Sequence, residues 1–177
     1  MISFHAAMSA CEKSDVWDRA LVLLEEMRER ELKLDAISFS ASMSACEKGE
    51  VWRCALGLLD EMRERELKPD VISISAAMSA CEKGVVWRCA LGLLDEMREL
   101  ELKLDVISLS AAMSSCEKGG VWKCALELLD EMRSDLLKLD VTSMSAALSA
   151  CEKSGGWKCA LELLDEMKES ELKPNEV

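Results

Sequence analysis

Tyrosine is absent from this chain of 177 residues, and phenylalanine and proline each occur only twice. Aromatic residues make up 4% of the composition. Because aromatic and β-branched residues dominate β-sheets, this scarcity argues against a sheet protein. Ala, Leu, Glu, Lys, Arg and Met are abundant instead, and these are the strong helix formers. The composition therefore favours an all-α fold.

Several classes of functional site lack the residues that they require. His5 is the only histidine, which nearly excludes histidine-based acid–base catalysis and a histidine-containing zinc site. Neither a P-loop nor a dinucleotide-binding motif occurs, and no two cysteines have C-x-x-C spacing. No apolar run reaches the roughly 18 residues that a membrane span needs. We therefore expect no catalysis, no cofactor, no metal and no membrane contact.

The chain is built from five consecutive units of 35 residues, without insertion or deletion. The units comprise residues 1–35, 36–70, 71–105, 106–140 and 141–175, and residues 176–177 start a following unit. Tryptophan recurs at the same place in each: Trp17, Trp52, Trp87, Trp122 and Trp157. A cysteine followed by Glu-Lys does the same: Cys11, Cys46, Cys81, Cys116 and Cys151. Because Met1 already lies inside the pattern, we interpret the chain as part of a longer array, with any targeting segment outside it.

Each unit is predicted to form two antiparallel helices. In the third unit, the first helix carries several alanines and can approach its neighbours closely, with Asp70 or Ser73 as its cap. Gly84 is predicted to take the left-handed position that ends this helix. In the second helix, apolar residues from Trp87 to Met97 recur every three or four residues and share one face. A hairpin cannot bury both faces alone, so five stacked hairpins, an α-solenoid, are the predicted fold.

Tryptophan and cysteine are predicted to serve packing. Trp at a fixed place in stacked helices is usually core, so we interpret the tryptophans as inter-unit packing rather than as a ligand cage. The nine cysteines fall in two columns, and small buried thiols between helices explain them without metal or disulfides. The second column consists of Cys54, Cys89, Cys124 and Cys159.

The unit resembles the pentatricopeptide repeat, through stretches such as VISISAAMSACEKGVVWRCALGLLDEM and ELKPDV, over residues 1–175. Two departures stand out. The family's usual Tyr in the fourth place is replaced by Phe4, Phe39, Ile74, Leu109 and Met144. Its usual Gly before the KPD ending is replaced by Glu31, Glu66, Glu101, Leu136 and Glu171. The resemblance implies a right-handed superhelix with the first helices inside, and we expect the fold to survive both changes.

The resemblance also implies a function, which is binding of single-stranded RNA with one base per unit. The fifth and last residues of a unit would contact the base edge: His5/Asp35, Ser40/Asp70, Ser75/Asp105, Ser110/Asp140 and Ser145/Asn175. The second residue would pack on the base face: Ile2, Ile37, Ile72, Ile107 and Thr142. A lysine ending the first helix would face the phosphates: Lys13, Lys48, Lys83, Lys118 and Lys153. Thr142 and His5 depart from the family's usual residues.

Hydrogen-bonding chemistry agrees with this assignment. Ionised Asp only accepts, and guanine offers two adjacent donors, whereas Asn both donates and accepts, as adenine does. The implied preference is N-G-G-G-A, with the first base undetermined. Without the resemblance, Ser near a helix start and Asp before a helix would more simply be caps or dipole partners.

Net charge is −12, which does not suggest a nucleic-acid binder at first. However, the first thirteen residues of each unit carry one Glu and one Lys, and most other carboxylates lie in or after the second helix. With a screening length of about 8 Å, a groove of first helices could still bind RNA, with modest affinity. The alternative is a scaffold that holds a peptide in the groove. Family resemblance places the protein in mitochondria or plastids, with RNA-processing proteins as further partners, and uncapped ends predict self-association.

Overall fold

Ten α-helices and no strand make up the described part of the computed structural model, which comprises residues 2–14, 16–134 and 141–169. Each unit contributes two helices, so the predicted all-α solenoid is confirmed. The first helices are α1 (Ile2–Lys13), α3 (Ala36–Lys48), α5 (Val71–Lys83), α7 (Val106–Gly119) and α9 (Val141–Ser154). The second helices are α2 (Trp17–Glu29), α4 (Trp52–Glu64), α6 (Trp87–Glu99), α8 (Trp122–Ser134) and α10 (Trp157–Glu169).

Three of the first helices, α3, α5 and α7, begin at an aspartate cap. Asp35, Asp70 and Asp105 each accept a hydrogen bond from the backbone N–H three residues later. At α5 and α7 the serine three residues on also accepts a hydrogen bond from the cap's backbone N–H, which completes a capping box. The last residue of one unit therefore fixes where the first helix of the next unit starts.

Leu and Met side chains hold the second helices against the core. In α6, Leu94 and Met97 are fully buried, and Trp87 and Leu91 are partly buried. The fourth residue of the first helix, where the family has tyrosine, is also fully buried as Phe39, Ile74, Leu109 and Met144. Apolar residues of different shape thus fill the same core position.

The prediction that Gly84 takes the left-handed position at the end of its helix was wrong. Gly84 has a φ of −77°, and the next residue, Val85, takes the left-handed conformation with a φ of 56°. In unit 2 the equivalent residues behave alike, since Glu50 rather than Gly49 has a positive φ. In units 4 and 5 a glycine, Gly120 or Gly155, occupies the left-handed position after the first helix.

The absence of a Cβ at Gly84 instead accommodates Trp52 from the preceding unit. A Cβ built on Gly84 would lie 2.2 Å from Cδ1 of Trp52. Gly49 has the same relation to Trp17, and Gly119 to Trp87. Each of these tryptophans therefore packs across a junction between units, as predicted.

The helices form two layers. Consecutive first helices pack against one another from α1 to α9. Each second helix packs against the first helix of its own unit and, from α2 to α8, against that of the next unit. Among the described helices, no two second helices have Cα atoms within 8 Å of each other. Because the second helices are farther apart than the first helices, the stack curves with the first helices on its inner side.

Ion pairs connect the second helices across this wider spacing. An arginine of one unit binds a glutamate of the next in the pairs Arg28–Glu61, Arg63–Glu96, Arg98–Glu131 and Arg133–Glu166. Each arginine also binds an acidic residue three positions earlier in its own helix. None of the described helices combines the length and apolar character that crossing a membrane requires.

Candidate nucleic-acid interface

Two cavities of the same kind open on the inner surface, in consecutive units, each with a volume of 290 Å³. The cavity of unit 2 is lined by Ser40 and Asp70, which are its fifth and last residues, and by Ile37 and Ile72. The cavity of unit 3 has the equivalent lining, which consists of Ser75, Asp105, Ile72 and Ile107. The structure therefore places each of these two predicted base-recognition pairs in one cavity, together with the predicted base-packing residues on either side.

The isoleucines of this surface are unusually exposed for their size. Ile37, Ile72 and Ile107 expose 62%, 64% and 66% of their surface. Ile72 lines both cavities, so it stands between them. A flat ring held in either cavity would have an aliphatic side chain on each side. Thr142 is exposed in the equivalent place, and the side chain of Ile2 lies outside the described residues.

Asp70 and Asp105 cap helices and also line the cavities. Oδ1 of Asp70 accepts a hydrogen bond of 2.8 Å from the backbone N–H of Ser73, and Oδ1 of Asp105 does the same for Ser108. Both carboxylates also line the cavities. Since a carboxylate has two acceptor oxygens, capping leaves acceptor capacity for a ligand. Asp140 and Asn175 lie outside the described residues.

The fifth-position serines do not cap the helices. Ser40 donates a hydrogen bond of 2.8 Å to the carbonyl of Ala36, one turn back. Oγ of Ser75 and Oγ of Ser110 are shielded from solvent, and the structure gives neither a hydrogen-bond partner. Buried hydroxyl groups normally have partners, so these two have free hydrogen-bonding capacity. Ser145 is half-buried at the equivalent position.

In unit 1 the predicted pair is in direct contact. Nε2 of His5 lies 3.2 Å from Oδ1 of Asp35 and 3.2 Å from Oγ of Ser38. Desolvation alone would raise the pKa of Asp35, but hydrogen bonds from Ser38 and the neighbouring His5 outweigh it and lower that pKa. Asp35 is thus more fully engaged than Asp70 or Asp105, which sets unit 1 apart from units 2 and 3.

The predicted phosphate-facing lysines are held by the preceding unit. Lys48 and Lys83 donate hydrogen bonds of 2.8 and 3.0 Å to the carbonyls of Glu12 and Glu47. Lys118 lies 3.2 Å from a carboxylate oxygen of Glu82, and Lys153 3.0 Å from that of Glu117. Lys13 is exposed at the start of this row. The row therefore carries alternating charges rather than a continuous positive charge.

The glutamate column is the part of the site that the sequence prediction missed. Glu12 and Glu47 line the cavities of units 2 and 3, together with serines such as Ser9 and Ser44 from the preceding first helix. The signal was available as helical spacing, because the fifth, ninth and twelfth residues of a unit share one helix face. Desolvation raises the pKa of Glu47, although Lys83 and Lys48 partly offset this effect.

The cysteines lie apart from these cavities. All nine are free thiols, four of them buried and five half-buried, so they are less deeply buried as a group than predicted. Burial raises the pKa of Cys46, Cys81 and Cys116 to about 12, with a smaller contribution from the second-column cysteine of the same unit. Within the described ranges, His, Cys, Asp and Glu do not form any group of three or more that could hold a metal ion.

Family models match most of the chain. A model of the pentatricopeptide repeat domain matches residues 22–83 and 127–177. A model of the PPR repeat matches residues 2–32 and 107–135. No curated protein sequence matches the chain significantly.

Solved structures share the fold at low sequence identity. The pentatricopeptide repeat protein PPR10 in complex with an 18-nt psaJ RNA element is 21% identical, with a TM-score of 0.79, over 98% of this chain and 26% of that one. A structure of PPR10 from maize is 23% identical, with a TM-score of 0.72, over 99% of this chain and 25% of that one. The PPR domain of Arabidopsis thaliana protein-only RNase P 1, in complex with tRNA, is 13% identical, with a TM-score of 0.84, over 97% and 90%. This chain thus spans about a quarter of the length of PPR10.

Proposed function

Because the chain belongs to the pentatricopeptide repeat family, we propose that it binds single-stranded RNA along its inner surface, with one base in each unit's cavity. The observation that carries this proposal is the repeated cavity between neighbouring isoleucines, which holds the fifth and last residues of one unit. Single-stranded RNA exposes the two faces and the edge of each base. Proteins commonly recognise such bases by packing on the faces and by hydrogen bonding to the edge. The cavities offer aliphatic contacts for the faces and Ser/Asp pairs for the edges.

The proposed base preference is N-G-G-G-A from the 5′ end, with the 5′ end toward the N-terminus of the chain. In units 2 to 4, an aspartate acceptor suits the two adjacent donors of guanine, and the short serine leaves room for a purine. Oγ of Ser75 and of Ser110 has no partner and is shielded from solvent, so donation to O6 of guanine requires a change of serine rotamer. Unit 5 pairs Ser145 with Asn175, which suits adenine. In unit 1, His5 leaves the preference open.

The proposed role is binding without catalysis. By occupying its site, the protein would protect a transcript, remodel it or recruit other proteins to it. These effects would serve RNA processing, editing, stability or translation. PPR10 and the RNase P 1 domain were each solved with an RNA, which supports RNA as the ligand class. A mitochondrial or plastid location, with RNA-processing proteins as partners, is proposed from the family alone.

The electrostatics favour modest affinity. Five lysines facing a single strand would limit the slope of log affinity against log salt to roughly −3.5. In the structure, however, four of these lysines contact glutamates of the preceding unit. A strand must therefore compete with a carboxylate for Lys83, Lys118 and Lys153, and with a backbone carbonyl for Lys48.

The test is a base-swap experiment with matched variants. In this family Asn with Asp resembles a uracil-recognising pair, because the longer side chain suits a smaller pyrimidine. We expect Ser75→Asn to weaken binding to 5′-NGGGA and strengthen binding to 5′-NGUGA, in lithium buffer to suppress quadruplexes. Ser110→Asn should instead prefer 5′-NGGUA. Each correct contact should contribute about 1–3 kcal/mol, by analogy with other direct base recognition.

Crossing the two variants with the two RNAs separates base recognition from general damage to the fold. If both variants respond equally to both RNAs, or if the unmodified protein binds none of them, the proposal is wrong. A peptide-binding scaffold would then be favoured, since the exposed isoleucines could also hold an extended peptide. Peptide binding would depend on Ile37, Ile72 and Ile107 and would change little with salt.

A further inference from the structure

The ninth residue of every unit is a serine that the proposed base recognition does not use: Ser9, Ser44, Ser79, Ser114 and Ser149. All five residues are half-buried. Ser9 and Ser44 line the cavity of unit 2, and Ser44 and Ser79 line the cavity of unit 3. Each of these two cavities therefore has one ninth-residue serine from its own unit and one from the preceding unit.

The hydroxyl groups of these cavity serines are available to a ligand. Serine within a helix often donates a hydrogen bond to the carbonyl four residues earlier, and in α3 both Ser40 and Ser42 do so. Ser44 of the same helix and Ser79 of α5 form no such bond with any described residue. Their oxygens are not shielded from solvent, in contrast to Oγ of Ser75. Each of the two hydroxyl groups can therefore both donate to a bound molecule and accept from it.

Three polar residues follow one another along α5 at intervals of one helical turn. Ser75 lies in the cavity with Asp105, Ser79 lies about 6 Å further along the helix axis, and Lys83 ends the helix after another turn. A nucleotide has a matching order, because its ribose joins the base to the phosphate. With the base edge at Ser75 and Asp105 and the phosphate beside Lys83, the ribose lies next to Ser79.

On the basis of the RNA binding proposed above, we infer that the ninth-residue serine of a unit contacts the ribose 2′-hydroxyl of the nucleotide whose base that unit holds. Both hydroxyl groups donate and accept, so the hydrogen bond can run in either direction. The 2′-hydroxyl is the group by which a protein distinguishes RNA from DNA at a given site. The serine column therefore selects RNA over single-stranded DNA of the same sequence. The base-recognition pairs and the lysines cannot do so, because guanine, adenine and phosphate are common to both nucleic acids.

The test combines a change in the protein with a change in a single sugar. The ligands are 5′-NGGGA as RNA, the same RNA with a 2′-deoxy sugar at its third nucleotide, and the same RNA with a 2′-deoxy sugar at its first nucleotide. All three have the same base at N, and affinities are measured by fluorescence anisotropy in lithium buffer. For the unmodified protein, we expect either deoxy sugar to weaken binding about two- to tenfold, which corresponds to one hydrogen bond between uncharged groups.

Ser79→Ala should weaken binding to the all-RNA ligand by the same factor. It should not weaken binding to the ligand that is deoxy at the third nucleotide, because the partner hydroxyl is already missing there. With the ligand that is deoxy at the first nucleotide, the variant should again lose the full factor, since unit 1 lies two units away. Alanine is a better helix former than serine, so the fold should remain, which circular dichroism checks.

The matched control is Ser115→Ala in α7, which also removes one serine hydroxyl from a first helix. Ser115 is fully buried, its hydroxyl group has no partner, and Ala45 and Ala80 stand at the equivalent positions. This change should leave all three affinities unchanged.

The sugar-specific response separates this inference from the proposed function. If Ser79→Ala weakens binding to the all-RNA ligand and to the ligand deoxy at the third nucleotide equally, the inference is wrong and RNA binding stands. The same holds if the unmodified protein binds these two ligands with equal affinity. If none of the RNAs binds, the proposed function fails and the inference fails with it.

Discussion

The indole ring of Trp52 packs directly against the backbone of Gly84 in the following unit, with 2.2 Å between Cδ1 and the place where a Cβ would lie. At this junction the missing Cβ of Gly84 leaves room for the indole ring, although the glycine ends a helix and resembles a cap in the sequence. In unit 5, Ser154 stands at the equivalent position. This relation recurs at Gly49 and Gly119. It couples neighbouring units through a single pair of residues.

We expect Gly84→Ala to destabilise the protein, because the added methyl group cannot fit beside Trp52. Overpacking of this kind typically costs about 1–3 kcal/mol. The matched control is Gly92→Ala, within α6, where nothing lies within 4 Å of the added Cβ. There alanine should stabilise the helix by roughly 0.5–1 kcal/mol. Urea unfolding should shift the midpoints in opposite directions, and two shifts of the same sign would contradict this account.

Val85→Gly should stabilise the protein. Val85 has a φ of 56°, and an L-residue in the left-handed region costs about 1–2 kcal/mol. Glycine removes that strain but costs more backbone entropy on folding, so a net gain of roughly 1 kcal/mol is expected. Val86→Gly is the control, since its φ is −108° and its side chain packs against the core. It should lower the melting temperature that Val85→Gly raises.

These glycine positions show what the sequence could and could not predict. The unit boundaries and the starts of the second helices at Trp followed from the repeat alone. A glycine at position 84, however, could serve either a left-handed backbone conformation or the close approach of a neighbouring side chain. Choosing between these two reasons requires the position of the neighbouring unit. The glycine that the family places before the KPD ending corresponds to a left-handed backbone position, because Glu66 has a φ of 57° there.

The candidate RNA-binding site also has features that the sequence could predict and features that it could not. Pairing of the fifth and last residues could be predicted, because the resemblance supplies both positions and the structure brings them into shared cavities in units 2 and 3. Helical spacing could predict that the glutamates share the cavity face, but the sequence could not predict their contacts with lysines, because Lys83 meets Glu47 across 36 residues of sequence, between units. Contacts between units depend on how far each unit is rotated and shifted against the next, which no single unit encodes.

Glu47→Gln should strengthen RNA binding. It removes a carboxylate that lines the unit 3 cavity and lies 3.8 Å from Nζ of Lys83. Lys83 keeps its hydrogen bond to the backbone carbonyl of residue 47 but loses the competing carboxylate. The salt dependence should therefore steepen by at most about 0.7 in slope, the value for one phosphate contact on a single strand. Titration by fluorescence anisotropy at several salt concentrations measures both effects. Glu99→Gln, which removes an equal charge from the end of α6, should leave the slope unchanged.

The same glutamate gives a pH dependence with a definite sign. Desolvation raises the pKa of Glu47, so on acidification it becomes neutral before exposed glutamates, whose pKa is about 4.3. Protonation relieves the charge that competes with phosphate, and RNA affinity should increase as pH falls from about 7 towards that range. In Glu47→Gln this increase should be smaller. An equal pH response in both proteins would mean that Glu47 does not oppose binding.

Thiol reactivity should follow burial. In denaturant without reductant, Ellman's reagent should detect all nine cysteines, and elemental analysis should find no stoichiometric zinc. In the native protein, the half-buried second-column thiols such as Cys54 and Cys89 should react first. Buried Cys46, Cys81 and Cys116 should lag, because a pKa of about 12 leaves almost no thiolate near neutral pH. Fewer than nine thiols in denaturant would indicate a disulfide or a bound metal.

Asp70 separates the capping role from the recognition role, because asparagine preserves one and changes the other. Asp70→Asn keeps a good helix cap, so the melting temperature should stay close to that of the unmodified protein. The amide adds a donor beside the acceptor, which suits adenine instead of guanine, and binding should shift from 5′-NGGGA to 5′-NAGGA. Asp70→Ala is the control, since it loses the cap, typically about 1 kcal/mol, and also loses the base preference. Calorimetry and RNA titration on the same samples compare the two effects. If Asp70→Asn leaves the base preference unchanged while Asp70→Ala lowers stability, Asp70 is a cap alone, and the cavity beside it does not recognise the base edge through this residue.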